Sequence, residues 1–108
     1  MRIISITKLR DFWTIHRDAE RPLKVWHGLV EALDWTSPVD VRRNFRTADP
    51  IGECLVVFNI GGNRYRLVVS PHYEWHIVFI VGVYTHREYD ALNLPEVERA
   101  IRSKRKPR

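Results

Sequence analysis

Between Cys54 and Tyr84 the chain runs as short apolar or alternating stretches broken by turn-forming residues. A period of two with such breaks marks β-strands. Three are expected, at about Cys54–Ile60, Arg64–Ser70 and His76–Tyr84. Ile60-Gly61-Gly62-Asn63 joins the first pair as a hairpin turn, with Asn63 read as a residue that tolerates positive φ. Pro71-His72-Tyr73-Glu74-Trp75 joins the second pair. Connections this short make an antiparallel meander. The last run, Ile77 to Val83, is almost continuously apolar. It belongs inside the sheet, with helices over one face and the walls of a site or a partner over the other. Gly82 leaves room there for a close approach.

Upstream the spacing changes to that of helices. Arg2 to Ile6 is a short β-prone run. Thr7 is placed to cap a helix with Leu9, Phe12, Trp13 and His16 along one side. Asp18 offers a second cap, and Pro22 falls in the first turn, where a missing N–H does little harm. That second helix carries Leu23, Trp26, Val30 and Leu33, with Val25 and Leu29 broadening the stripe. Two such helices in succession form an αα-hairpin that needs a sheet to cover it. Ser37, Pro38 and Asp40 open a short third helix reaching Asn44 or Phe45. Asp49-Pro50 and Gly52 break Arg46–Glu53 into a loop.

Past the meander, Pro95 begins a helix-prone piece, Glu96–Ile101, too short to be stable alone. Arg102–Arg108 reads as a basic, mobile tail. The fold class is therefore α+β. An N-terminal strand and an αα-hairpin pack on an antiparallel meander, the helices lie on one face, and a short helix closes the chain. At 108 residues the chain has one core, so residues 1–101 are expected to be one domain, followed by the tail at 102–108.

Composition narrows the chemistry. A formal net charge of +5 favours an anionic partner, whether nucleic acid, an acidic protein or a membrane surface. No run approaches the roughly 20 apolar residues of a membrane span, and Met1-Arg2-Ile3-Ile4-Ser5 lacks the apolar core of a leader. The chain reads as soluble and cytoplasmic. Its single cysteine, Cys54, excludes an internal disulfide and fits a small buried hydrophobe. No spacing of His, Asp or Glu makes a metal site, no Ser or Cys elbow points to acyl transfer, and no cofactor is expected.

Two places carry titratable groups in a suggestive order. Alternation puts Arg64 and Arg66 on one face with Val68, and Tyr65, Leu67 and Val69 on the other. An arginine among apolar neighbours on a strand is costly unless something occupies its fork. Downstream, Thr85-x-x-Glu88 fits a capping box. A cap accounts for those two residues but not for His86, Tyr89 or Asp90. One helical turn lets Tyr89 face the same way as His86. Arginines on a sheet face beside a His/Tyr/Asp cluster suit phosphate chemistry.

Val56-Val57-Phe58-Asn59-Ile60-Gly61-Gly62-Asn63-Arg64-Tyr65-Arg66-Leu67-Val68 and Thr85-His86-Arg87-Glu88-Tyr89-Asp90 together resemble the HigB-type toxins of bacterial type II toxin–antitoxin systems. These are a branch of the RelE-like mRNA interferases, and the likeness runs from Met1 to about Leu94. The resemblance implies a RelE-like arrangement and cleavage of mRNA in the ribosomal A site, with growth arrest. It also implies inhibition by a HigA-type helix-turn-helix antitoxin.

A ribonuclease working without metal deprotonates a ribose 2′-hydroxyl, stabilises charge on the attacked phosphate and protonates the departing 5′-oxygen. Its products are a 2′,3′-cyclic phosphate and a 5′-hydroxyl end. Arg66 matches the arginine that contacts the scissile phosphate in the Tyr-Arg-Leu-Val strand of RelE-like toxins. His86 suits the proton steps, Tyr89 stacking or a proton, and Asp90 the orientation of His86. Arg64, Asn63 and Arg46 are expected to touch RNA, with Tyr73 and Trp75 stacking on bases. That loop holds more aromatics than the family leads one to expect. The alternatives are a non-catalytic RNA- or protein-binding module of the same fold, and a decayed toxin kept for its interactions. Only a nuclease has need of Arg66, His86 and Tyr89 together.

Overall fold

The computed structural model describes residues 1–105; Lys106, Pro107 and Arg108, the end of the expected tail, lie outside the described residues. In chain order the elements are β1 (Arg2–Ile4), α1 (Ile6–Ile15), α2 (Glu20–Glu31), α3 (Pro38–Asn44), β2 (Asp49–Ile51), β3 (Leu55–Ile60), β4 (Tyr65–His72), β5 (Ile77–Thr85), α4 (His86–Asp90) and α5 (Leu94–Arg105). The strands form one sheet in the order β1-β5-β4-β3-β2. β3, β4 and β5 are the expected meander, and β1 joins it parallel to β5. The α+β class holds, and β5 lies inside the sheet as its apolar run requires.

The first face of the sheet meets the N-terminal helices. Leu9 of α1, Leu23, Trp26 and Val30 of α2 and Val41 of α3 pack on Phe58, Leu67, Val69, Val78 and Val83. Phe58 sits among Trp26, Trp35 and Phe45, with ring centroids 5.4, 6.1 and 5.1 Å away. A register shift opposite Val81, where Val68 pairs with Gly82 but Val69 with Ile80, is a β-bulge. It keeps both Ile80 and Val83 on this face despite their odd spacing. Val81 packs instead with Leu55, Val57 and Val68, so apolar residues occupy both faces of the run.

Several local expectations give way to tertiary contacts. α1 starts at Ile6 with Ser5, not Thr7, at its cap position. Asp18 caps nothing, because its carboxylate receives the Tyr65 hydroxyl and an Arg64 guanidinium N–H 2.6 Å away. Val25 and Leu29 do not join the core; they stay 55% and 52% exposed. Part of the expected loop at 46–53 is a strand, Asp49–Ile51, paired with Val57, Val56 and Leu55. As an outer strand it tolerates Pro50, whose lack of an N–H matters only in a central position. Gly82 admits the ring of Tyr84, two residues on, rather than a separate ligand.

The largest departure is at the C-terminus. The helices do not all lie on one face. α5 covers the second face and continues through Arg102–Arg105, the first part of the expected tail. Leu94, Val97 and Ile101 recur at helical spacing and pack with Leu55, Val57 and Val68. A short amphipathic helix is stabilised by such packing rather than by its own propensity. Between β2 and β3, buried Glu98 accepts hydrogen bonds from Glu53 N at 2.9 Å, Cys54 N at 3.2 Å and the Cys54 thiol at 3.1 Å. The Arg102 guanidinium lies 3.5 Å from its other oxygen. Gly52, at φ +59°, leaves the space that Glu98 fills. At the far end Arg105 donates to His72 Nε2 at 2.8 Å and to the Pro71 carbonyl.

Donation from the Cys54 thiol holds the Glu98 carboxyl below its ordinary range against the opposing effect of burial, aided by Glu53 N and Arg102. Burial and the neighbouring carboxylate push the Cys54 thiol up to about 11, so Cys54 behaves as the inert buried group expected of it.

Phe58→Ala, which empties the centre of the aromatic cluster, is expected to cost about 3–5 kcal/mol, measured as a lower urea midpoint at unchanged slope. A carboxyl whose folded-state pKa is depressed contributes stability that is complete above its unfolded value and is lost as pH falls through the folded value. Glu98→Gln is therefore expected to be less stable than the parent at neutral pH. The two urea midpoints should converge on acidification; parallel curves would refute the role given to the carboxylate.

Candidate functional site

The turn between β3 and β4 sets the geometry. Ile60 pairs with Tyr65, and the positive-φ positions inside the turn are Gly61 and Gly62, at +64° and +70°. Glycine meets that demand without strain. Asn63 is not at positive φ, contrary to expectation, and its main-chain carbonyl faces other residues. Arg66 Nη1 lies 3.5 Å from that oxygen and 3.4 Å from the Tyr65 carbonyl. His86 Nε2 contacts the same Asn63 oxygen. A carbonyl only accepts, so Nε2 is the donor in this contact.

His86 comes to this place because β5 ends in the expected capping box. Thr85 Oγ1 accepts from Glu88 N at 3.2 Å, and Glu88 Oε1 accepts from Thr85 N at 2.9 Å. The box starts α4 beside the β3–β4 turn and aims its single turn back over β4. Tyr89 then lies with its ring centroid 5.8 Å from the Arg66 guanidinium carbon, within cation–π range. Burial and the Asp49 charge raise the Tyr89 phenol above its ordinary value, so it remains a hydrogen-bond donor at neutral pH.

Beside this cluster opens a hollow of about 460 Å³, lined among others by Arg42, Arg46, Asp49, Asn59, Arg66 and Tyr89. Asn59 stands opposite Arg66 on β3, and Tyr84 opposite it on β5. Among the described residues none of Arg42, Arg46 and Arg66 has an ion-pair partner. Three guanidinium groups around one carboxylate make a field suited to a phosphodiester.

The expected site residues divide. Arg66, His86, Tyr89 and Asn63 meet at one end of the sheet, and Arg46 reaches the same hollow. Asp90 follows Tyr89 on α4, exposed, but the partner of the His86 ring is the Asn63 carbonyl. Arg64 turns towards α2's side of the sheet and binds Asp18. Tyr73 and Trp75 stand beyond the other end of β4, roughly 20 Å from Arg66 at 3.3 Å per strand residue. Trp75 is 69% exposed. Tyr73 packs against the core, and burial pushes its phenol up to about 12.

Arg42, Asp49 and Asn59 line the hollow and were not among the expected site residues. Asn59 follows from register once the turns are centred. Arg42 and Asp49 do not, since they depend on where α3 and β2 dock. Among the described residues no three His, Cys, Asp or Glu side chains converge as a metal site, and no helix is long and apolar enough to cross a membrane.

No curated protein matches the chain. A family model described as HigB toxin, RelE-like toxic component of a toxin-antitoxin system, matches residues 19–92. The matched span is most of the chain and takes in Arg42, Arg46, Asn59, Arg66, His86 and Tyr89. The fold, with its sheet, N-terminal helices and C-terminal helix, agrees with that assignment. The chain belongs to the HigB toxins, the RelE-like toxic components of toxin–antitoxin systems.

Proposed function

We propose that this toxin is a ribosome-dependent mRNA endonuclease that cuts by attack of a ribose 2′-oxygen on the adjoining phosphorus, with a HigA-type antitoxin as its inhibitor. The observation that carries the reading is the convergence of Arg66 and His86 on the Asn63 carbonyl, with the Tyr89 ring against the Arg66 guanidinium, beside a hollow lined by two further arginines.

In this reading the Arg66 fork receives two non-bridging phosphate oxygens. Its hydrogen bonds to the Asn63 and Tyr65 carbonyls are long, so it can exchange them for a stronger charged acceptor. Tyr89 holds the guanidinium from one face and offers its ring edge or hydroxyl to a nucleotide. The 2′-hydroxyl gives its proton to His86 or to water as its oxygen bonds to phosphorus; the bond to the 5′-oxygen breaks, and that oxygen takes a proton from water or from His86. The ends are a 2′,3′-cyclic phosphate and a 5′-hydroxyl. Arg42 and Arg46 extend the positive surface along the strand's backbone, as electrostatic binding of RNA requires. With Asp18 holding Arg64 and the length of the sheet separating Trp75 from Arg66, neither has a part in the chemistry.

Expression in cells followed by mapping of mRNA 5′ ends tests this. The parent should give codon-phased cuts in translated messages and none in an untranslated copy. Removing one preorganised charge-stabilising donor costs about 10²–10³ in rate, so Arg66→Ala should lose the cuts while keeping its melting temperature. His86→Ala should lose about 10²–10⁴. Growth arrest by both variants at equal expression, without cuts, favours the binding module over the nuclease. Arg64→Ala is expected to cut normally and to be modestly less stable.

A further inference from the structure

The N-terminal helices leave one apolar surface unpartnered. Val25 and Leu29, one helical turn apart on α2, are 55% and 52% exposed and share a side of the helix. With Pro22, Phe45 and Ile60 they border a second hollow of about 220 Å³. Trp26 forms part of its wall. That ring is only 3% exposed.

The neighbouring hollow along α2 adds charge. It is lined by Arg17, Arg21 and Lys24 as well as Glu20 and Val25. Glu20 pairs with Lys24 at 2.5 Å, while Arg17 and Arg21 have no ion-pair partner among the described residues. An apolar stripe with a cationic margin selects an acidic, amphipathic segment. A second copy of this chain would bring +5 against +5 and cationic margin against cationic margin, which disfavours self-association.

We propose that α2 is the docking face for the antitoxin, which seats apolar side chains on Val25 and Leu29 and acidic ones by Arg17 and Arg21. The placement rests on the chain's membership of a toxin–antitoxin family. Its inhibitory consequence rests also on the nuclease reading above. Asn59 borders both this hollow and the arginine-lined one, so a segment seated on α2 reaches the rim of the RNA groove and competes with a bound strand.

The test uses the full chain carrying Arg66→Ala, so that it can be expressed, and its cognate antitoxin as the titrant, in calorimetry without RNA. Val25→Asp with Leu29→Asp should weaken binding by about 100-fold or more, as loss of a central apolar anchor pair does. With Arg66 restored, neutralisation of the double variant in cells should fail, while its toxicity without antitoxin is unchanged. Arg21→Glu should weaken binding less and flatten its salt dependence. Should the double variant lose its cooperative melt, Val25→Ser and Leu29→Ser probe the same face more gently. Phe79→Asp, in the separate cleft of Phe79, Ile101 and Lys104, should bind normally.

Parent affinity in the α2 variants, or loss with Phe79→Asp alone, overturns the docking face. Simultaneous, independent binding of antitoxin and a single-stranded RNA oligomer overturns the competition. Because the titration contains no RNA, absence of cleavage by the parent chain defeats the nuclease reading and leaves the docking result standing.

Discussion

A period of two along β4 binds the core and the site to one another. Tyr65, Leu67 and Val69 are committed to the aromatic core, which commits Arg66 to the opposite face. A slip of one residue would bury a guanidinium under two tryptophans and expose three apolar groups. The hydrophobic energy of the first face therefore fixes the register, and the register fixes where the charge stands. Gly61 and Gly62 make the turn that allows this pairing, and the turn in turn presents the Asn63 carbonyl to Arg66 and His86.

Around that fixed strand the molecule is asymmetric in charge and in cover. The first face is sealed by three helices. The second is only partly covered, by α5 anchored through buried Glu98 at the β2–β3 turn. What α5 leaves open is the arginine-lined hollow. The cost of keeping unpaired guanidinium groups close together is modest while they remain hydrated, and it turns into attraction when a phosphodiester arrives. α2 presents a different chemistry, with apolar side chains left outside the core and a basic margin beside them. In the proposed reading these two surfaces serve two anionic partners, a strand of RNA and an acidic protein segment, and they meet at Asn59.

Legibility from sequence follows the range of the interactions. The meander, its turns, the Thr85–Glu88 capping box and α3 were readable because each rests on neighbours a few residues apart. Arg66 with His86 was readable through the family resemblance. Its physical basis, convergence on a carbonyl of the intervening turn, was not. Asp18 shows the opposite case. It reads as a helix cap by local preference, but Tyr65 and Arg64, far along the chain, claim both its oxygens.

The sequence alone determined an α+β chain, the alternation that separates Arg66 from Tyr65, and a cationic character. Those follow from side-chain periodicity and composition. Tertiary structure decided that Arg64 leaves the site, that Tyr73 and Trp75 stand at the far end, and that Arg102–Arg105 complete a helix over the second face. It also decided that Arg42 and Asn59 join Arg66 while Val25 and Leu29 stay exposed. Each depends on which distant elements pack together, and packing partners are chosen by shape, burial and charge in three dimensions, about which local spacing is silent.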